Sequence, residues 1–220
     1  MPERAPIEHR AWLLASLLAG ISFYFVKDAA LPALGLVVWK GAGVALLAVW
    51  ALAQHKGADS RQIAAVMTFG ALGDVLIEWM LEAGAIAFLI GHLIAIHFCW
   101  RHRRCALPFS QKAAALAMLV LIPAIAFLLP TDRSAAPGIA LYATGLSAMT
   151  AAAWLSRFPR YRVGIGAVLF ALSDLLIFSS YGPLAHNSIP GLLIWPLYYF
   201  GQFLICTGVI GALRPPSTPL

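Results

Sequence analysis

Apolar residues run almost unbroken through this chain, and the breaks between the runs are short and mostly basic on alternate sides. An α-helix needs about 20 apolar residues to cross the hydrocarbon of a bilayer. Eight such segments can be laid on the sequence, at residues 11–26, 31–53, 63–80, 85–100, 113–129, 138–155, 163–180 and 191–213. Inside hydrocarbon every backbone N–H and C=O must find an internal partner, which leaves only helices and closed barrels. A barrel would alternate apolar and polar positions over segments of about ten residues, whereas these runs are continuous. The chain therefore reads as all-α, a polytopic membrane protein of about eight transmembrane helices forming a single integral membrane domain over residues 1–220. Only 11% of its residues are charged, against about 25% in soluble domains, so almost nothing is left for an aqueous domain. The first run resembles a signal-peptide core in length. No strong cleavage site follows it and seven more spans do, so it reads as a retained helix.

The loops set the orientation. The N-terminal segment, the loops after the second, fourth and sixth segments, and the stretch after the eighth hold Arg4, Arg10, Lys56, Arg61, Arg101, Arg103, Arg104, Lys112, Arg157, Arg160, Arg162 and Arg214; the opposite side holds Lys27 and Arg133. Twelve against two is a strong positive-inside bias, and it places both termini in the cytoplasm of what is expected to be a bacterial inner (plasma) membrane. The net charge of +6 resides in these loops, so it gives no reason to expect a nucleic acid. Trp12, Trp50, Trp100, Trp154 and Tyr161 near the inner ends, with Tyr24, Trp79, Tyr142 and Tyr181 near the outer ends, read as interfacial belts. Three cysteines without paired spacing make no disulfide framework. His97, Cys99, His102 and Cys105 cluster in sequence, but their spacing fits no zinc template and straddles a helix end, so no metal is expected.

Two carboxylates stand out against this background. Ala71-Leu72-Gly73-Asp74-Val75-Leu76-Ile77 and Ala171-Leu172-Ser173-Asp174-Leu175-Leu176-Ile177 agree at five of seven positions. Each places an aspartate inside an apolar run, where insertion costs about 2.5–3.5 kcal/mol and a functional role is the default reading. Each lies eleven or twelve residues from the cytoplasmic start of its segment, about 17 Å in. The two words sit four segments apart, and Gly91-His92 and Gly201-Gln202 fall in comparable places on the next segments, which suggests two parallel four-helix halves sharing one site. Glu78 lies one turn beyond Asp74 and either widens the acidic site or reaches the outer interface. Lys40, near the middle of the second segment, is expected either to pair with an aspartate or to anchor a substrate phosphate. His92, Tyr198, Tyr199 and Gln202 are candidates to line the cavity, with helix packing as the bland alternative for His92 and Tyr199. Gly41 and Gly43 are too sparse for a nucleotide loop and read as a close helix approach. No G-x-S-x-G elbow, P-loop or H-E-x-x-H is present.

At these residues the chain resembles the YhhN-like family, the lysoplasmalogenases. The matching stretches are Gly73-Asp74-Val75-Leu76, Ala87-Phe88-Leu89-Ile90-Gly91-His92, Phe170-Ala171-Leu172-Ser173-Asp174 and Tyr199-Phe200-Gly201-Gln202. Two positions depart from the family pattern: Ala95, where a tyrosine is expected after the Gly-His pair, and Gly41, where a proline is usual after Lys40. The resemblance implies hydrolysis of the vinyl ether bond of lysoplasmalogens to a fatty aldehyde and glycerophosphocholine or glycerophosphoethanolamine, with a lysophospholipid as substrate, membrane lipids as surroundings and no metal or organic cofactor. The residues suit that chemistry. A proton must reach an alkene carbon, a cation of oxocarbenium type must be stabilised, and water must be activated. A carboxyl pair in two protonation states divides such work in glycosidases. Asp174 is expected as the general acid and Asp74 as base or cation stabiliser, or the reverse. Lys40 is expected at the phosphate, with Glu78 widening the site, His92 and Gln202 placing water or the carboxyls, and Tyr199 donating a hydrogen bond into the cavity. The alternative is a proton-coupled transporter or lipid flippase, since intramembrane acids serve proton coupling as well.

Overall fold

A computed structural model describes residues 9–54 and 57–213; Arg4, Lys56 and Arg214 of the charge count lie outside the described residues. Among the described residues the chain forms eight α-helices: α1 Arg10–Val26, α2 Ala33–Ala53, α3 Gly57–Leu76, α4 Leu81–Arg101, α5 Phe109–Leu128, α6 Ala136–Leu155, α7 Ile165–Ser180 and α8 Ile189–Ala212. A π-helical turn, Arg160–Gly164, leads directly into α7. Six helices are long and apolar enough to cross a membrane: α2, α4, α5, α6, α7 with its π turn, and α8. α1 is shorter, with 17 residues, and α3 opens on the polar stretch Asp59-Ser60-Arg61-Gln62. Large apolar side chains such as Leu18, Phe25, Leu34, Leu128 and Leu141 are exposed along the helices, as lipid-facing positions require. The molecule is a polytopic all-α integral membrane protein.

α3 differs most from its sequence reading. It begins six residues earlier than expected and ends four residues earlier. Gly57 has φ of 68°, a left-handed conformation that glycine adopts without a Cβ penalty, and Asp59 in the first turn complements the positive end of the helix dipole. Polar residues at a helix start thus read as loop in the sequence. At the other end Gly84 packs against the turn after α3, where a Cβ would stand 2.7 Å from Cβ of Ile77 and 2.8 Å from its backbone nitrogen. Asp74 is therefore two residues from the end of its helix, and Glu78 lies in the turn beyond. Asp174 lies six residues before the end of α7.

The chain divides into two compact units, the residues up to Gly91 with those from Val209 onward, and His92–Gly208. The division falls within α4 and α8, not in the loop 101–112 that a four-plus-four arrangement would use. The second part of α4 belongs with the second unit because its aromatic side chains make their ring contacts there, His92 with Tyr142 and Phe170, Phe98 with Phe158.

In the first unit α2 packs between α1 and α3. Ser16 donates to the Gly43 carbonyl at 2.6 Å, and Trp39 Nε1 donates to Ser22 Oγ at 3.0 Å. Gly41 faces Val75, whose Cγ2 would stand 2.8 Å from an added Cβ. The close approach expected at Gly41 is present.

In the second unit α6 packs on α5 and α7. Thr150 Oγ1 reaches the Ala167 carbonyl at 3.5 Å. α7 and α8 meet at two glycines: an added Cβ on Gly166 would stand 2.7 Å from the Gly201 carbonyl oxygen, and one on Gly201 would stand 2.7 Å from the Gly166 oxygen. Ser173 Oγ donates to the Ile194 carbonyl at 3.0 Å and fixes the same helix pair nearer its other end. Two basic loops are stitched together by an isolated antiparallel bridge between Arg103 and Ser156, by Arg157 N–H to the His102 carbonyl at 2.7 Å, and by the Arg104 guanidinium to the Phe158 carbonyl at 3.1 Å. Before α6, Asp132 accepts from the Ser134 amide and hydroxyl at 2.9 and 2.7 Å. These bonds, the hydroxyl's first, hold its carboxyl below the ordinary range. The stabilisation they give the turn is present above the ordinary carboxylate pKa and fades as pH falls through the lowered value.

Gly166→Ala forces a methyl group into facing backbone and should lower stability in detergent by about 1–3 kcal/mol, whereas Gly191→Ala enters open space and should leave stability unchanged or raise it by up to about 1 kcal/mol. Thermal unfolding of the two variants checks the contrast. Ser134→Ala should raise the pKa of Asp132 toward its ordinary value; carboxyl-carbon NMR titration reads the shift directly.

Candidate active site

The polar interior of the second unit is built from three helices. Asp174, just past the middle of α7, is 5% exposed, and His92 on α4 is 3% exposed. Tyr142 on α6 lies between them. Its hydroxyl donates to Asp174 Oδ2 at 2.7 Å and stands 3.2 Å from His92 Nε2. Rings hold the pair in place. His92 packs against Phe170 with centroids 5.2 Å apart and edge-on to Tyr142 at 5.6 Å, and Phe178 meets Tyr142 edge-on at 6.0 Å. Thr150 and Ala167 face each other across α6 and α7: Thr150 Oγ1 gives its hydrogen to the Leu146 carbonyl at 2.9 Å and lies 3.5 Å from the Ala167 carbonyl. Tyr142 is eight residues before Thr150, and Asp174 is seven after Ala167, so antiparallel helices that meet at one pair bring the other pair level.

Tyr142 is the site residue that the sequence reading misses. Its position near an outer helix end reads as an interfacial belt, but the side chain is half-buried and turned onto a carboxyl group. The available signal is spacing: residue 142 lies on the segment before Asp174 at a depth that mirrors it across an antiparallel pair.

Gln202 and Tyr199 on α8 are both buried in this unit. Tyr199 belongs to an aromatic group, stacked on Trp195 at 6.0 Å and beside Phe200 and Phe203. Tyr198 lies 5.2 Å from Phe170, the ring that also supports His92.

In the first unit Asp74 is 3% exposed near the end of α3. Lys40 forms an ion pair with Glu78, Nζ to Oε1 at 2.5 Å, and not with an aspartate, as the sequence suggested. The reason is the early end of α3, which puts Glu78 in a turn whose side chain can swing onto α2. The pair is partly open, with side-chain exposures of 19% and 43%. Among the described residues no three His, Cys, Asp or Glu side chains come together to hold a metal ion. His102 is buried between Phe98 and Phe158, with Nδ1 at 2.9 Å from the Phe98 carbonyl, while Cys105 is exposed.

A polytopic helical membrane protein with a buried, hydrogen-bonded aspartate is thus the class that fold and site define. The YhhN family model matches residues 36–209, and the chain belongs to that family. It is 29% identical over 189 residues, covering 81% of this chain and 72% of the relative, to the lysoplasmalogenase of Mycobacterium bovis (strain ATCC BAA-935 / AF2122/97); the same figures hold for the lysoplasmalogenase of Mycobacterium tuberculosis (strain CDC 1551 / Oshkosh). No solved structure matches it significantly.

The open geometry of the Lys40–Glu78 pair bounds its energetic weight. Lys40→Met should lower stability by about 1 kcal/mol or less, measured by thermal unfolding at low and high salt. A loss of several kcal/mol that salt does not change would show the pair to be enclosed.

Proposed function

We propose that this protein is a lysoplasmalogenase-like hydrolase that cleaves the vinyl ether bond of lysoplasmalogens, releasing a fatty aldehyde and a glycerophospho-alcohol. The observation that carries the reading is the buried Asp174 carboxyl in a membrane helix, held by Tyr142 and backed by His92. Membership of the YhhN family and the likeness to two lysoplasmalogenases support it.

The chemistry begins with a proton. The neutral carboxyl of Asp174 gives its hydrogen to the alkene carbon remote from the ether oxygen. The π electrons form the new C–H bond, and the ether oxygen shares the positive charge left on its neighbouring carbon. Water adds to that carbon and surrenders a proton to a carboxylate, giving a hemiacetal. The hemiacetal breaks its bond to the glycerol oxygen, which leaves protonated as an alcohol, and the aldehyde carbonyl forms. Reactants are one vinyl ether and one water; products are one aldehyde and one alcohol, with no change of oxidation state for the enzyme. A burst of positive charge next to a carboxylate in a low-dielectric surrounding is strongly stabilised.

Asp74 is the candidate for the second carboxylate because its heptapeptide repeats that of Asp174. Lys40 is assigned to the substrate phosphate, with Glu78, its ion-pair partner, widening the site. Gln202 and Tyr199 are assigned to the walls that place the chain and the water. The protein is proposed to span a bacterial inner membrane eight times with both termini cytoplasmic, α1 and α3 adding to the six apolar spans.

Aldehyde release from a lysoplasmenyl lipid by purified protein in detergent tests the assignment. Wild type should turn over without any gradient. Asp174→Asn, which keeps the shape of the side chain and its bond to Tyr142, should reduce turnover by about 100-fold or more, the usual contribution of a positioned acid. Asp74→Asn should fall similarly. No release by folded wild type would turn the reading to transport, where the same buried acid couples to protons.

A further inference from the structure

We propose that Tyr142 and His92 are positioning residues that commit the proton of Asp174 to one oxygen, Oδ1, and aim it at the substrate; the inference rests on the hydrolase reading above.

The carboxyl group of Asp174 is asymmetric in its surroundings. Oδ2 accepts from the Tyr142 hydroxyl at 2.7 Å. Oδ1 has no hydrogen-bond partner among the described residues. It is not sealed off either: among the described residues the fully enclosed side-chain nitrogen or oxygen that lacks a partner is Arg160 Nε. The small exposure that Asp174 keeps, 5%, therefore includes Oδ1. A polar oxygen in a largely buried group, unpartnered but reachable, is where a ligand is to be sought. A neutral carboxyl has one C=O and one O–H. The oxygen that already receives a hydrogen bond is the carbonyl, so the acid hydrogen resides on the other. Tyr142 thereby selects Oδ1 as the donor atom, and Oδ1 is the atom that nothing else in the described protein engages.

The phenol has a single hydrogen, and it is given to Oδ2. Its contact with His92 must then run the other way, with Nε2–H donating to the phenol oxygen at 3.2 Å. The chain is directional: His92 Nε2–H to Tyr142 O–H to Asp174 Oδ2. His92 fixes the polarity of Tyr142, and Tyr142 fixes the polarity of Asp174. When Oδ1 passes its hydrogen to the alkene carbon, the negative charge spreads over both oxygens and the Tyr142 bond strengthens, since hydrogen bonds to charged acceptors are the stronger kind. The device therefore favours the transition state over the ground state, which is what raises turnover without tightening binding.

The geometry is set by packing that the reaction does not touch. α6 packs on α7, and Phe170 and Phe178 hold the His92 and Tyr142 rings. Tyr142→Phe removes the hydroxyl and leaves the ring where it is.

Two readouts separate positioning from simple support. Turnover with a lysoplasmenyl lipid should show kcat reduced about 10- to 100-fold in Tyr142→Phe with KM unchanged. His92→Leu should behave like Tyr142→Phe, while His92→Gln, which keeps an N–H donor at similar reach, should recover most of the activity. Infrared spectra of protein carrying 13C-labelled aspartate should contain a carboxylic C=O band that disappears in Asp174→Asn and moves to higher wavenumber in Tyr142→Phe, because a carbonyl that loses a donor stiffens. Wild-type kcat or an unmoved band in Tyr142→Phe would overturn the proposal and leave the hydrolase reading standing if Asp174→Asn remains inactive. Full activity of Asp174→Asn would instead remove Asp174 as the acid and this proposal with it, whereas no release by folded wild type would remove the hydrolase reading itself. If Tyr142→Phe unfolds, the His92→Leu and His92→Gln pair carries the test: equal activity of the two, per folded molecule, overturns the chain.

Discussion

Hydrocarbon offers no hydrogen bonds, and that one fact governs every polar side chain in the interior of this protein. Asp174 is stable in its place because Tyr142 supplies a hydrogen bond that solvent would otherwise give. The serines and threonines obey the same constraint by turning back on their own helices, as Thr68, Thr144 and Thr207 do with the carbonyls four residues before them. Where a hydroxyl instead crosses to a neighbour, it marks a helix pair that must not slip: Ser16 to Gly43 and Ser173 to Ile194. The polar atoms therefore specify register, while the apolar ones supply packing without a hydrophobic drive between helices.

Close backbone contact does the rest. The Gly166–Gly201 crossing brings carbonyl oxygens to distances that no side chain would tolerate. It lies about two turns of α7 before Asp174, so the helix that carries the acid is held against α8 at one point by backbone and at another by Ser173. The π turn Arg160–Gly164 sits at the start of the same helix. A π turn inserts one residue into a helical ladder and rotates the residues beyond it, so the face that α7 presents from Ile165 onward is set before the helix proper begins. Support of this kind holds the Asp174 carboxyl in one position, and a misplacement of about 1 Å can cost a reaction a hundredfold where a side chain takes part in it.

The helical class, the membrane setting and the burial of Asp74, Asp174, His92, Tyr199 and Gln202 are all readable from apolar run lengths and from polar residues isolated within them. What escapes the sequence shares one cause. Run length locates the hydrocarbon but not the helix, so the polar opening of α3 reads as loop, and Glu78 reads as helical although its helix has already ended. The partner of Lys40 turns on that same helix end. Tyr142 escapes for a related reason: an aromatic with a polar tip fits an interfacial belt and a buried acid equally well, and only the α6–α7 register separates the two. Sequence spacing along one helix is legible; pairing across helices is set by glycines and single hydroxyls whose partners lie far away in the chain.

The two matching heptapeptides illustrate how far a repeated word can diverge in use. The residue before each aspartate differs, and the difference is structural. At Gly73 an added Cβ would stand 2.7 Å from the ring of Phe88, so the helix face next to Asp74 admits an aromatic side chain directly against backbone. At Ser173 the same position carries a hydroxyl that reaches the Ile194 carbonyl. Asp74 lies near the end of its helix, one turn from the Lys40–Glu78 pair, whereas Asp174 lies within a helix supported on both sides of it. The asymmetry of their settings, more than the likeness of their sequences, distinguishes the two aspartates: one repeated motif stands at a helix end in the first case and inside a supported helix in the second.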